Sequence, residues 1–126
     1  MIKKTLTTSQ IGQLNECLAR QYLIQQGLKY LTQNFHSRQG EIDLIMQEQD
    51  TVVFIEVKYR KNNNFGGAIA AVSYNKQQKL RKTATFYLQR QGLNAYNTPC
   101  RFDVITIQGN TADDSTPQMT WLKNAF

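Results

Sequence analysis

The chain has 126 residues, 40% of them apolar, and a formal net charge of +6. That length reads as one domain, 1–126, able to build a hydrophobic core, and the apolar content excludes general disorder. The start MIKKTLTTSQ is basic but has no apolar segment of a secretory signal, and no apolar run approaches the roughly 18 residues of a bilayer span.

The two cysteines, Cys17 and Cys100, lack CxxC spacing. They read as reduced, buried thiols of a cytoplasmic protein rather than a disulfide framework or zinc site. His36, the single histidine, reads as a turn or strand-end residue. The charge is unevenly placed: Met1–Glu56 holds five Lys/Arg and six Asp/Glu, Val57–Phe102 nine and none, and Asp103–Phe126 one and three. A basic middle without acids suits a polyanion, because clustered Lys/Arg neutralise phosphates and release counterions. A solvated basic face is the plainer alternative.

In chain order, Ser9–Gln26 predicts a helix capped by Thr8 or Ser9 and stopped by Gly27. Ile11, Leu14, Leu18 and Tyr22 form its apolar stripe. Strands are expected over 28–37, 41–47 and 51–59, the last two joined by the turn-like EQD. KNNNFGG is a loop. A second helix runs from a Ser73 cap to about Gln91, with Gly92 just beyond it. Its Leu80, Ala84, Tyr87 and Leu88 read as core. Arg101–Ile107 is a fourth strand, GNTADDSTP a loop, and MTWLK a short last strand. The order α-β-β-β-α-β, plus an edge strand, lets the third and fourth strands pair in parallel through a right-handed crossover.

The second and third strands place charges among core residues. With a symmetric two- or four-residue turn, paired residues sum to 99: Met46 faces Val53, Leu44 faces Ile55, Asp43 faces Glu56 and Glu41 faces Lys58. All four charged residues then share one face. Two carboxylates opposed across a ladder are about 4.5–5.5 Å apart at Cβ and repel unless compensated. A divalent cation compensates them, since Mg²⁺ takes one or two carboxylates and keeps several waters. The competing reading is an exposed strand end, with Lys58 in a salt bridge to Glu41 or Glu56. Against it, Val52, Val53, Phe54, Ile55 and Val57 populate both faces of the strand, and a buried charge is costly unless paired or metal-bound.

GEIDLI followed by VFIEVKYR resembles the D-(X)n-ExK signature of the PD-(D/E)XK nuclease superfamily. More narrowly, the chain resembles the YraN-like family of bacterial proteins. That likeness runs through NECLARQYL, the GEIDLI…FIEVK hairpin, FGGAIAAV, KQQKLRK, CRFDVITI and the terminal WLKNAF. It implies an α/β, restriction-endonuclease-like core, a mixed sheet flanked by helices, similar to Holliday-junction resolvases and tRNA-intron endonucleases. It carries the metal-binding acids over to Asp43 and Glu56, the catalytic lysine to Lys58, and the first-helix glutamate of several branches to Glu16. Two features depart from the pattern. Ile42 stands where the superfamily has proline, and Asn15 precedes Glu16 where the narrower family usually has glycine. Glu16 also has a plain alternative, an exposed ion pair with Arg20 at i+4.

Such a site suits phosphodiester hydrolysis with Mg²⁺ or Mn²⁺ as cofactor. Lys58 would orient or activate a water, or offset developing charge. Arg60, Lys61, Lys76, Lys79 and Lys82 could grip phosphates beside the acids. Phe65 with Gly66 and Gly67 forms a candidate contact loop. The expected partner is nucleic acid, DNA ahead of RNA, with no membrane and a homodimer left open. The expected activity is metal-dependent cleavage of DNA, including branched DNA. The alternatives are a non-catalytic nucleic-acid-binding module on the same fold and a scaffold that contacts an acidic protein.

Overall fold

Strand periodicity sorts the apolar residues of the chain onto two faces of a sheet, and each face is roofed by one helix. The computed structural model describes residues 6–60, 72–109 and 118–126. Its elements are α1 (Thr8–Gln25), β1 (Lys29–Ser37), β2 (Gly40–Glu48), β3 (Thr51–Arg60), α2 (Tyr74–Arg90), β4 (Cys100–Gln108) and β5 (Gln118–Leu122). The strands form one mixed sheet in the order β1-β2-β3-β4-β5. All neighbours are antiparallel except β3 and β4, which pair in parallel as expected. This is the α/β architecture that the restriction-endonuclease-like resemblance implied. Among the described residues no helix is long and apolar enough to cross a membrane.

Leu44, Met46, Val53, Ile55, Ile105 and Ile107 pack together on one face with Ala19 and Leu23 of α1. Ile45, Val52, Phe54 and Phe102 pack on the other face with Leu80, Ala84, Tyr87 and Leu88 of α2. Burying each large side chain contributes about 1.5–3 kcal/mol. On the α2 side, Phe102 stacks against Phe54 at 5.3 Å and against the C-terminal Phe126 at 5.1 Å. The terminal segment is pinned there by the Ala125 amide donating to the Phe102 carbonyl at 2.7 Å.

Both helices close with the same device. Gly27 and Gly92 adopt φ of 103° and 74°, and the residues after them, Leu28 and Leu93, donate back to the carbonyls of Leu23 and Leu88. These are Schellman caps, which need a left-handed residue at this position. Ser73 caps α2 as expected, its hydroxyl accepting from the Lys76 amide at 3.1 Å. For α1 the cap is Thr7, one residue before the expected pair. Thr7 and Gln10 exchange side-chain and backbone bonds in a capping box.

The buried face of α1 also differs from the expected stripe. Asn15, Ala19 and Leu23 are buried, Leu18 and Tyr22 only flank the core, and Leu14 is exposed. Small Ala19 lets the helix lie close to the sheet, so the contact line rotates toward it. Cys17 is half-buried and Cys100 exposed, both with free thiols, so the expectation of buried cysteines fails. KNNNFGG, with Lys61, Phe65, Gly66 and Gly67, lies outside the described residues, as do residues 110–117.

Candidate functional site

The β2–β3 ladder has the predicted register: Met46 pairs with Val53, and Leu44 with Ile55. Its two-residue turn, Gln49 and Asp50, puts Gln49 at φ 53°. The ladder ends at Leu44 and Ile55, although both strands continue. Asp43 is where it stops. The Asp43 carboxylate, Oδ2, accepts from the Val57 amide at 2.9 Å and takes the place of a backbone acceptor. Alternation breaks at the same point, since Ile42 and Ile45, three residues apart, both pack on the α2 side. The expected common face for 41, 43, 56 and 58 therefore holds only in part. Glu41 is exposed and pairs with His36 Nδ1 at 3.2 Å, its neighbour across β1. His36 is accordingly a strand-end residue.

Asp43 and Glu56 do come together. Burial pushes the Glu56 carboxyl up to about 8, helped by its hydrogen bond to Asp43 and by the negative charge of Asp43, while Lys76 and Lys58 pull it down. Lys76 Nζ lies 3.6 Å from Glu56 Oε2, whose side chain is only 13% exposed. Glu56, Lys58, Val72, Ser73 and Lys76 line a cleft of about 230 Å³ between β3 and the start of α2. Lys58 is held below the usual lysine range by burial and by the positive charge of Arg60, with Glu56 opposing and Lys76 adding to the effect. Such depression moves an ammonium toward service as a proton acceptor.

Glu16 reaches the same region from the opposite face of the sheet. Burial and the charge of Asp43 raise its carboxyl, a hydrogen bond with the Asn34 side chain lowers it, and Glu41 raises it further. The alternative ion pair with Arg20 is not formed. Arg20 instead donates to Gln33 Oε1 at 3.0 Å and lies over the Tyr30 ring at 5.2 Å. Asn34 was not singled out from the sequence. It sits inside β1 at φ 53°, a conformation that Asn tolerates better than most residues. Its only sequence signal was a turn-favouring residue in the middle of a predicted strand.

Asp43 and Glu56 are the oxygen donors in contact, and Glu16 stands near Asp43. Among the described residues no three His, Cys, Asp or Glu side chains converge as a ready ligand set.

The family described as "Uncharacterised protein family UPF0102" matches residues 15–107, which span Glu16, Asp43, Glu56 and Lys58. The chain belongs to UPF0102. A UPF0102 protein of Colwellia psychrerythraea is 58% identical over 98% of this chain and 93% of its own length. One from Vibrio campbellii is 50% identical, covering 93% and 92%, and one from Pseudomonas syringae pv. tomato is 45% identical, covering 95% and 94%.

In this UPF0102 protein the described basic residues expected at the site are dispersed along β3 and α2. Lys76 faces the acids directly. Arg60 ends β3, where its Nη1 donates to the Tyr59 carbonyl at 3.1 Å. Lys79 lies on α2 beside Gly40, the first residue of β2. Lys82 is farther along α2, in a separate groove.

A second charged cluster escaped the sequence reading. Asp103 is fully buried and accepts from Arg101, from the Trp121 indole at 2.9 Å and from the Asn124 amide at 2.8 Å. Arg101 Nη1 reaches Glu48 at 2.7 Å. Every charged group of this cluster has a partner, which marks it as a clasp between β4, β5 and the β2–β3 turn. The i, i+2 spacing of Arg101 and Asp103 on one strand face was the available signal.

Proposed function

We propose that this protein is a metal-dependent nuclease that hydrolyses phosphodiester bonds of DNA, including branched DNA, in the cytoplasm. The observation that carries the reading is the Asp43–Glu56 contact, two half-buried carboxyls meeting beside two lysines. A carboxyl pushed up to about 8 marks a place with too much negative charge for its surroundings, and such strongly perturbed groups in a cleft are candidate functional residues. Hard oxygen donors of this kind fit Mg²⁺ or Mn²⁺.

Asp43 and Glu56 would hold the cation, with Glu16 adding negative charge from the other face. A cation there would supply charge stabilisation at the scissile phosphate and a more acidic bound water. The residues of the chain do the rest. Asp43 is fixed by the Val57 amide, so it is oriented before a ligand arrives. Lys58, held below its usual range, can take a proton from an attacking water or donate to the phosphoryl oxygens. Lys76, beside Glu56, would donate to the oxygens of a phosphate bound there.

The test is a cleavage panel of single-stranded, duplex and four-way-junction DNA, with RNA beside them, in Mg²⁺ or Mn²⁺. Wild type should cut at least one DNA. Asp43→Asn and Glu56→Gln should abolish cutting, and Lys58→Ala should lower it by about 10²–10³-fold. Unchanged cutting in all three variants sinks the reading.

One observation favours a second reading. Lys76 already supplies a cation to Glu56, as in a site that neutralises its acids internally and only binds nucleic acid. That module would bind DNA in a salt-sensitive manner without turnover, and its binding would survive Glu56→Gln.

A further inference from the structure

Away from the site, a groove of about 500 Å³ lies where α2 meets the β1–β2 turn. Ser37 and Arg38 form one side, and Arg81, Lys82, Thr85 and Phe86 the other. Three of these six are cations, and no acidic side chain is among the described residues that line the groove. The whole of α2 carries Lys76, Lys79, Arg81, Lys82 and Arg90 and no acid. Phe86 is 38% exposed, although it touches Phe35 with ring centroids at 6.0 Å and has the Arg90 guanidinium 5.7 Å from its ring. A large aromatic ring left partly open among cations suits a ligand with both a flat apolar face and negative charge.

The groove is not isolated from the acids. Lys76 sits at Glu56, Lys79 at the start of β2, and Lys82 in the groove. At 1.5 Å per residue, the path from Lys76 to Lys82 runs about 9 Å along the helix. A strand whose phosphate lies at the acids can therefore follow this row of lysines into the groove. A base within a duplex offers only its edges. Stacking on a side chain needs an unpaired base, which is how single strands are held without sequence preference. The volume lies in the range that encloses one small ligand, comparable to a single nucleotide.

We propose that the groove holds one unpaired nucleotide of DNA, its base against Phe86 and its phosphate on Arg38 and Lys82. The substrate class is then DNA with a single-stranded segment next to the reacting phosphate: an overhang, a flap or the open arm of a branch. This rests on the reading of the protein as one that acts on DNA.

The test is fluorescence anisotropy in metal-free buffer, with a labelled oligothymidylate of about 12 nucleotides and a duplex of the same length. Phe86→Leu keeps an apolar side chain and removes the ring; Arg38→Gln changes only an exposed side chain. Each should weaken oligothymidylate binding about tenfold while shifting duplex binding less than twofold. Arg38→Gln should also lower the salt slope for the single strand by about 0.7. Thermal melts of both variants confirm folding, and Arg38→Gln serves where Phe86→Leu melts early. Equal losses for single strand and duplex, or no loss for either, overturn the groove proposal. The nuclease reading fails separately: wild type that never cuts, yet shows the selective loss, leaves the groove standing and removes only the catalysis.

Discussion

Glu56 is the residue on which most of the account turns, and its titration can be read in the apo protein. Folded Glu56 keeps its proton up to about pH 8, whereas its ordinary value is 4.5. Between these pH values the folded state binds more protons than the unfolded chain, so stability falls as pH rises through that window. Below it the contribution vanishes, and above it the full penalty, on the order of a few kcal/mol, remains. Glu56→Gln removes the ionisable group. Urea denaturation should therefore show the variant close to wild type near pH 4 and more stable than wild type at pH 9. A variant less stable than wild type at pH 9 would place Glu56 in a stabilising ion pair with Lys76 instead. The residue types at 43, 56 and 58 were legible in the sequence, because charges inside an apolar strand are costly without a purpose. The break at Asp43 was not, since it depends on a side chain replacing a ladder acceptor.

Among the elements, the β2–β3 hairpin was the most legible. Its polar turn and apolar alternation fixed the register that the structure has. The turn itself carries a cost, because Gln49 occupies φ 53° without being glycine. A left-handed conformation costs a residue with a Cβ roughly 1–2 kcal/mol, part of which glycine recovers against its greater unfolded-state entropy. Gln49→Gly should stabilise the protein by about 0.5–1 kcal/mol, visible as a higher urea midpoint at unchanged slope. The α1 stripe was misjudged because hydrophobicity ranked Leu14 above Ala19, while close approach to the sheet rewards the smaller side chain. That rotation brings Glu16 to the buried side. The Asp103 clasp lay beyond the sequence because the partners of Arg101 and Asp103 come from two distant segments, Glu48 at the end of β2 and Trp121 with Asn124 near the C-terminus. Asp103→Ala strands Arg101 beside a buried gap and should cost about 3–5 kcal/mol in chemical denaturation. Arg101→Met with Asp103→Leu, which removes both charges, should recover much of that loss.

For the whole molecule, the sheet divides labour between its faces. The α1 face and the Asp103 clasp hold the frame, and the α2 side gathers the cations near the acids and along the helix. Under the proposed function, affinity for a single strand should fall linearly with the logarithm of salt concentration, with a slope of about −0.7 per phosphate contact. The unevenness of charge was visible in the chain as the acid-free run from Val57 to Phe102. Its placement was not, because only the fold brings Lys76 to Glu56 and Lys82 to the β1–β2 turn.

The central claim is that Asp43 and Glu56 form a divalent-cation site, and calorimetric titration with Mn²⁺ near pH 8 tests it most directly. Wild type should bind Mn²⁺ and release protons as it does so, because Glu56 must ionise to ligate. Asp43→Asn should weaken binding at least about 100-fold. Equal Mn²⁺ binding by wild type and Asp43→Asn, or no binding by either, would contradict it.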